Sequence, residues 1–156
     1  MRLLYILSIV SASLAYTKPP KPLDELEIRT KFSLYATATD TKQFNQYDDI
    51  FTQDVFADYG GQTYNGLSAF KAFETAAIGN NVTQHAVTNT VVDFVDSKAP
   101  NSTAYVVMTY LGQGDLSGQV CQFYGKYEDQ WVQVRGAWRI KRRVLSLFVS
   151  VSDIVT

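Results

Sequence analysis

One cysteine and one histidine are all that 156 residues provide. A lone cysteine excludes an intramolecular disulfide, and a lone histidine excludes a two-histidine metal site or a zinc site of the Cys/His type. Charge is sparse and balanced: 19% of residues are charged, with 14 Lys plus Arg against 15 Asp plus Glu and a net charge of -1. With a pI near 5.7 there is no general electrostatic basis for binding nucleic acid or an anionic membrane. The chain also lacks a Gly-rich phosphate loop, a serine nucleophile elbow and a carboxylate pair at metal-ligand spacing. What it has in excess is aromatic side chains, 13% of residues, with 10 Tyr and 9 Phe. Against 46% apolar residues, this composition belongs to one folded globular domain.

Long hydrophobic runs are missing too. The longest is the mostly apolar stretch Leu3 to Leu14. As a helix it would measure roughly 18 Å, against a bilayer core of about 30 Å, so no membrane span is expected. Arg2 ahead of it and Ser13-Leu14-Ala15 behind it have the order of a secretory signal peptide, residues 1–15, cleaved after Ala15. Asn81-Val82-Thr83 and Asn101-Ser102-Thr103 are glycosylation sequons. Together they predict a glycoprotein, glycosylated at Asn81 and Asn101, that is secreted or held in the endomembrane lumen. Three of the four prolines lie between Tyr16 and Pro22, which predicts an extended arm over 16–23 and a single domain over 24–151.

Asp24 followed by Glu27 is a helix start signal, and Ile28, Phe32, Tyr35/Ala36 and Thr39 form one helical face to about residue 39. Asp40 with Gln43 repeats the cap pattern ahead of Phe44, Tyr47 and Phe51, predicting a second, shorter helix. Phe70, Phe73 and Ala77 mark a third, ended by Gly79-Asn80-Asn81. Past residue 82 the period changes to two, with His85, Val87, Asn89, Val91, Asp93 and Val95 on one face. Further strands follow over 103–111, 120–134 and 138–151. Helices first and strands after predict an α+β fold, the helices packed on one face of a curved sheet.

His85 is the one side chain that titrates near neutrality unperturbed, in phase with apolar neighbours. It is either a general base or a buried imidazole bonded to backbone. Asp40 is either a helix cap or a partner to that imidazole. Tyr35 and Tyr59 are phenols able to hydrogen-bond a ligand carbonyl or simply to pack. The basic run Arg139, Lys141, Arg142, Arg143 is expected to be a solvated strand edge.

Taken together, these segments resemble the SnoaL-like branch of the nuclear transport factor 2-like superfamily, which includes polyketide cyclases, scytalone dehydratase and ketosteroid isomerase. The resemblance covers roughly 24–145. It rests on Phe32-Ser33-Leu34-Tyr35 through Asp40, Ile50 to Val55, Asp58-Tyr59-Gly60, the Gly66-Leu67 helix start, Thr83 to Asn89, Tyr127-Glu128-Asp129 and Trp138-Arg139-Ile140. It implies a cystatin-like cone, with three N-terminal helices on a mainly antiparallel sheet of four to six strands, and pairing into a homodimer. Laid on scytalone dehydratase, Asp40, Tyr59 and His85 fall on cavity positions and are the implied catalytic residues. Tyr35, Asn89, Phe123 and Tyr127 are the expected substrate contacts. The second cavity histidine of that enzyme has no counterpart in this chain, so scytalone itself is not the expected substrate. The expectation is a lyase, isomerase or cyclase that needs no cofactor or metal and acts on a hydrophobic, polyketide- or terpenoid-like molecule. The alternative is a non-catalytic secreted binder of small molecules or a dimeric interaction protein of the same fold.

Overall fold

A computed structural model describes residues 22–96 and 98–154. The expected leader, 1–15, and the arm as far as residue 21 lie outside the described residues. Helix α1 spans Pro22–Asp40, so the last two residues assigned to the arm are already helical. Proline is tolerated in a first turn because its missing N–H has no helical partner there. A short 3-10 turn, Phe44–Asp49, precedes β1, Phe51–Tyr59, and β2, Gln62–Asn65. Helix α2, Leu67–Ile78, then leads into β3, Val82–Asp93, β4, Asn101–Leu111, β5, Gln119–Val134, and β6, Ala137–Ile154.

The six strands form one mixed sheet in the order β2-β1-β6-β5-β4-β3. β1 runs parallel to β6 and every other pairing is antiparallel. This is the α+β cone, with one correction. The expected second helix is only a 3-10 turn, and Phe51 opens a strand instead of closing a helical stripe. Gln43 makes no side-chain cap bond, and the carboxylate of Asp40 is engaged elsewhere, so nothing secures the start of a longer helix.

The buried face of α1 carries Ile28, Phe32, Tyr35 and Ala38, packed with Phe51, Phe70, Trp131, Trp138 and Ile140. Asp24 and Glu27 reach across to the last strand. Glu27 accepts the Trp138 backbone N–H at 2.9 Å, and Asp24 accepts the indole N–H at 3.2 Å. Register shifts interrupt the β1–β6, β3–β4 and β5–β6 pairings, and two of them bear on the site. Thr88 and Asn89 together face a single residue, Tyr105, on β4, a bulge that reverses which side chains point inward. At Gly125 the β5–β6 register shifts, and a Cβ there would come within 2.6 Å of the Ser146 carbonyl, so only glycine admits the approach.

The solvated-edge expectation for the basic run is corrected as well. β6 lies inside the sheet, and Arg143 is fully buried.

Candidate active site

The end of α1 is fixed by Thr39. Its hydroxyl donates to the Tyr35 carbonyl at 2.7 Å and accepts from the Tyr47 hydroxyl at 2.6 Å. The next residue, Asp40, places a carboxylate at the negative end of the helix dipole, where it destabilises the helix unless paired. β3 pairs it. Asp40 Oδ2 accepts the His85 backbone N–H at 2.9 Å, while Oδ1 lies 2.7 Å from His85 Nδ1 and accepts the Thr83 hydroxyl at 2.9 Å. Burial by itself would raise the Asp40 pKa; the bonds from the His85 ring and backbone, with Thr83, outweigh it and hold the carboxyl below its usual value. An ionised Asp40 only accepts, so Nδ1 carries a ring proton and Nε2 is the nitrogen left to act as a base.

His85 forms part of the wall of a cavity of about 180 Å³. Tyr35, Tyr59, Glu74 and Tyr110 supply its other polar groups, and Phe73, Ala77, Met108, Phe123, Leu145 and Leu147 the apolar lining. Three of the polar groups are connected. The Tyr35 hydroxyl donates to Glu74 Oε1 at 3.0 Å and lies 3.0 Å from the Tyr59 hydroxyl. Burial pushes both phenols well above their ordinary pKa, so they are donors and not bases. Tyr110 is pushed up to about 12 by the same cause. Burial also raises the pKa of Glu74, against the hydrogen bonds from Tyr35 and Tyr59 and the charge of Arg143. Among the described residues no group of three His, Cys, Asp or Glu side chains forms that could hold a metal ion.

Of the residues singled out from sequence, His85, Tyr59, Tyr35 and Phe123 line the cavity, and Asp40 stands behind His85. Tyr127 is fully buried beneath it, its ring 5.6 Å from that of Tyr35 and its hydroxyl on the Met108 sulfur at 3.7 Å. Asn89 is exposed and outside the cavity lining, because the bulge at 88–89 ends the inward phase of His85 and Val87. Val92 and Phe94 pack inward beyond it, and Val91 is 66% exposed. Asn81 and Asn101 are exposed.

Sequence reasoning passed over Glu74. A signal was there: Leu67, Phe70, Glu74 and Ile78 share the buried face of α2, and an acid on an apolar stripe is anomalous. Arg143 sits behind Tyr35, bonded through Nε and one terminal nitrogen to both oxygens of Asp129 at 2.9 and 2.7 Å. Its guanidinium carbon lies 4.3 Å from the Tyr35 ring centroid and 4.2 Å from that of Tyr127. The guanidinium thus stacks on the Tyr35 ring, which itself lines the cavity.

The family model described as SnoaL-like domain matches residues 21–144. An uncharacterized protein of Mycobacterium tuberculosis is 31% identical over 127 residues, covering 78% of this chain and 83% of the relative. Among solved structures, a proposed scytalone dehydratase from Novosphingobium aromaticivorans superposes with a TM-score of 0.72 at 23% identity, covering 83% of this chain and 87% of the other. A hexachlorocyclohexane dehydrochlorinase gives a TM-score of 0.73 at 18% identity, with 85% and 93% coverage. At these identities the two structures establish likeness of fold.

Proposed function

Because the chain belongs to the SnoaL-like domain family, within the nuclear transport factor 2-like superfamily, we propose that it is a cofactor-independent acid–base enzyme. It acts as a lyase, isomerase or cyclase on a compact hydrophobic carbonyl compound. One observation carries the reading: an imidazole oriented by a carboxylate at 2.7 Å stands in the wall of a largely apolar cavity that also presents the Tyr59 phenol.

His85 Nε2 removes a proton from the carbon next to the carbonyl. The Tyr59 hydroxyl turns its proton from Tyr35 to the oxyanion that develops, and Asp40 balances the imidazolium that forms. The lining is mainly apolar, and the low local dielectric strengthens each of these interactions. A cavity of about 150 Å³ on a comparable measure accommodates benzene, so 180 Å³ suits a one-ring ligand better than a polycyclic polyketide.

The same reading has the chain exported behind its leader and glycosylated at Asn81 and Asn101. It pairs as a homodimer through the outer face of the sheet, where the half-exposed rings of Tyr105 and Phe148 lie 5.9 Å apart.

The test is deuterium exchange of cyclohexanone in heavy water, followed by NMR. The expected result is enzyme-dependent α-deuteration that His85→Ala abolishes, with ligand affinity near that of the parent and the fold retained at a lowered thermal midpoint. Exchange at the parent rate in that variant would remove His85 as the base. Cyclohexanone binding with no exchange in the parent would favour the non-catalytic binder.

A further inference from the structure

Glu74 has no part in the scheme above, yet it is 3% exposed, lines the cavity and lies on the face of α2 that packs inward. The groups that bear on it come from every element around the cavity: Tyr35 on α1, Tyr59 on β1, His85 on β3, Tyr110 on β4, Tyr127 on β5 and Arg143 on β6. Four of these are phenols, which offer a carboxylate hydrogen bonds but no opposite charge. Arg143 is the one permanent cation, and both oxygens of Asp129 already hold it. Burial shifts this carboxyl toward its protonated form, against the hydrogen bonds of Tyr35 and Tyr59 and the charge of Arg143. With Tyr35 donating to Oε1, a proton held by this carboxyl belongs on Oε2.

Resting on the acid–base reading, we propose that Glu74 is a second catalytic group. It delivers its proton to an oxygen departing from the carbon β to the carbonyl, so that the substrates are compact β-hydroxy ketones or aldehydes. His85 Nε2 takes the α-proton, and the electron pair of that C–H bond becomes the new C=C bond. The C–O bond breaks with its pair on oxygen, which takes the Glu74 proton and leaves as water. An imidazolium and a carboxylate remain, equal and opposite in charge. The proton returns from His85 to Glu74 through the released water, restoring both groups with no oxidant or reductant consumed. Two acid–base groups of opposed character in one largely apolar cavity are what such an elimination requires.

The test uses two probes and one spectrum. Cyclohexanone reports α-deuteration alone, while β-hydroxycyclohexanone reports loss of water to cyclohexenone by its absorbance. Glu74→Gln is expected to lower the ratio of elimination to deuteration by about a hundredfold or more. An infrared difference spectrum between parent and Glu74→Gln at neutral pH should show a carboxylic-acid C=O band in the parent only. An unchanged ratio in Glu74→Gln, or no acid band in the parent, overturns the role of Glu74. Absence of deuteration in the parent overturns the acid–base reading itself, a separate outcome. The infrared band and a thermal melt of each protein guard against mistaking misfolding for lost chemistry.

Discussion

The carboxylate of Asp40 grips His85 at two points, the backbone N–H at 2.9 Å through Oδ2 and ring Nδ1 at 2.7 Å through Oδ1. One side chain thus fixes both the strand that bears the imidazole and the tautomer of the ring. Asp40→Asn keeps the shape but offers an amide in place of a purely accepting group, so the ring can protonate Nε2 and lose its basic nitrogen. Cyclohexanone deuteration should fall by about 10²–10⁴-fold while cyclohexanone binding persists. NMR of the ring nitrogens would report the tautomer directly.

Thr83 serves two readings at once. It completes the sequon that begins at Asn81, and its buried hydroxyl donates to Asp40 at 2.9 Å. Expressed through a eukaryotic secretory pathway, Asn81→Gln and Thr83→Val should each remove the same glycan, seen as one mass step. Only Thr83→Val should also slow deuteration, and its lost hydrogen bond should lower stability by about 1 kcal/mol. Equal deuteration in the two variants would show that Asp40 is oriented without Thr83.

The broad architecture was readable because it is written in period. Ile28, Phe32 and Tyr35 recur at helical spacing on α1, and the strands alternate as strands do. The pairing of Asp40 with His85, forty-five positions away, has no local signature. It was reachable only through the resemblance, while local pattern favoured a helix cap. Three features escaped because each looks ordinary in one dimension. A bulge leaves the alternation around Asn89 intact on paper while turning its side chain outward. Arg143 reads as one more cation in a basic run until the strand order puts it inside. Glu74 reads as a solvated helical acid unless its phase with Leu67, Phe70 and Ile78 is checked.

Arg143 and Asp129 form an ion pair with both side chains fully buried. Truncating one partner strands the other charge away from water. Arg143→Met should therefore cost about 3–5 kcal/mol, read as a lowered denaturation midpoint at unchanged slope. The double variant Arg143→Met with Asp129→Leu should recover most of that loss, since apolar groups of similar volume replace buried pairs at little net cost. Failure to recover would mean that the guanidinium, stacked on Tyr35 and Tyr127, is itself what the core requires.

The stability of Glu74→Gln relative to the parent should depend on pH in one direction. Burial raises the folded-state pKa of Glu74 above the value of about 4.3 expected for the unfolded chain. Below that value both states hold the proton, and the group adds no pH dependence. Above it the unfolded chain gives up its proton first, so the parent loses stability as pH rises until the folded carboxyl ionises as well. Asp40 acts with the opposite sign, its contribution being present above about 3.9 and lost as pH falls through its lowered folded value. Asp40 is common to both proteins and cancels in their difference. The thermal midpoint of Glu74→Gln minus that of the parent should thus be lowest in acid, climb as pH rises from about 4, and level off once Glu74 is ionised in the folded state. A difference that stayed flat would mean Glu74 titrates alike folded and unfolded, and a fall would mean its carboxylate is stabilised inside the cavity.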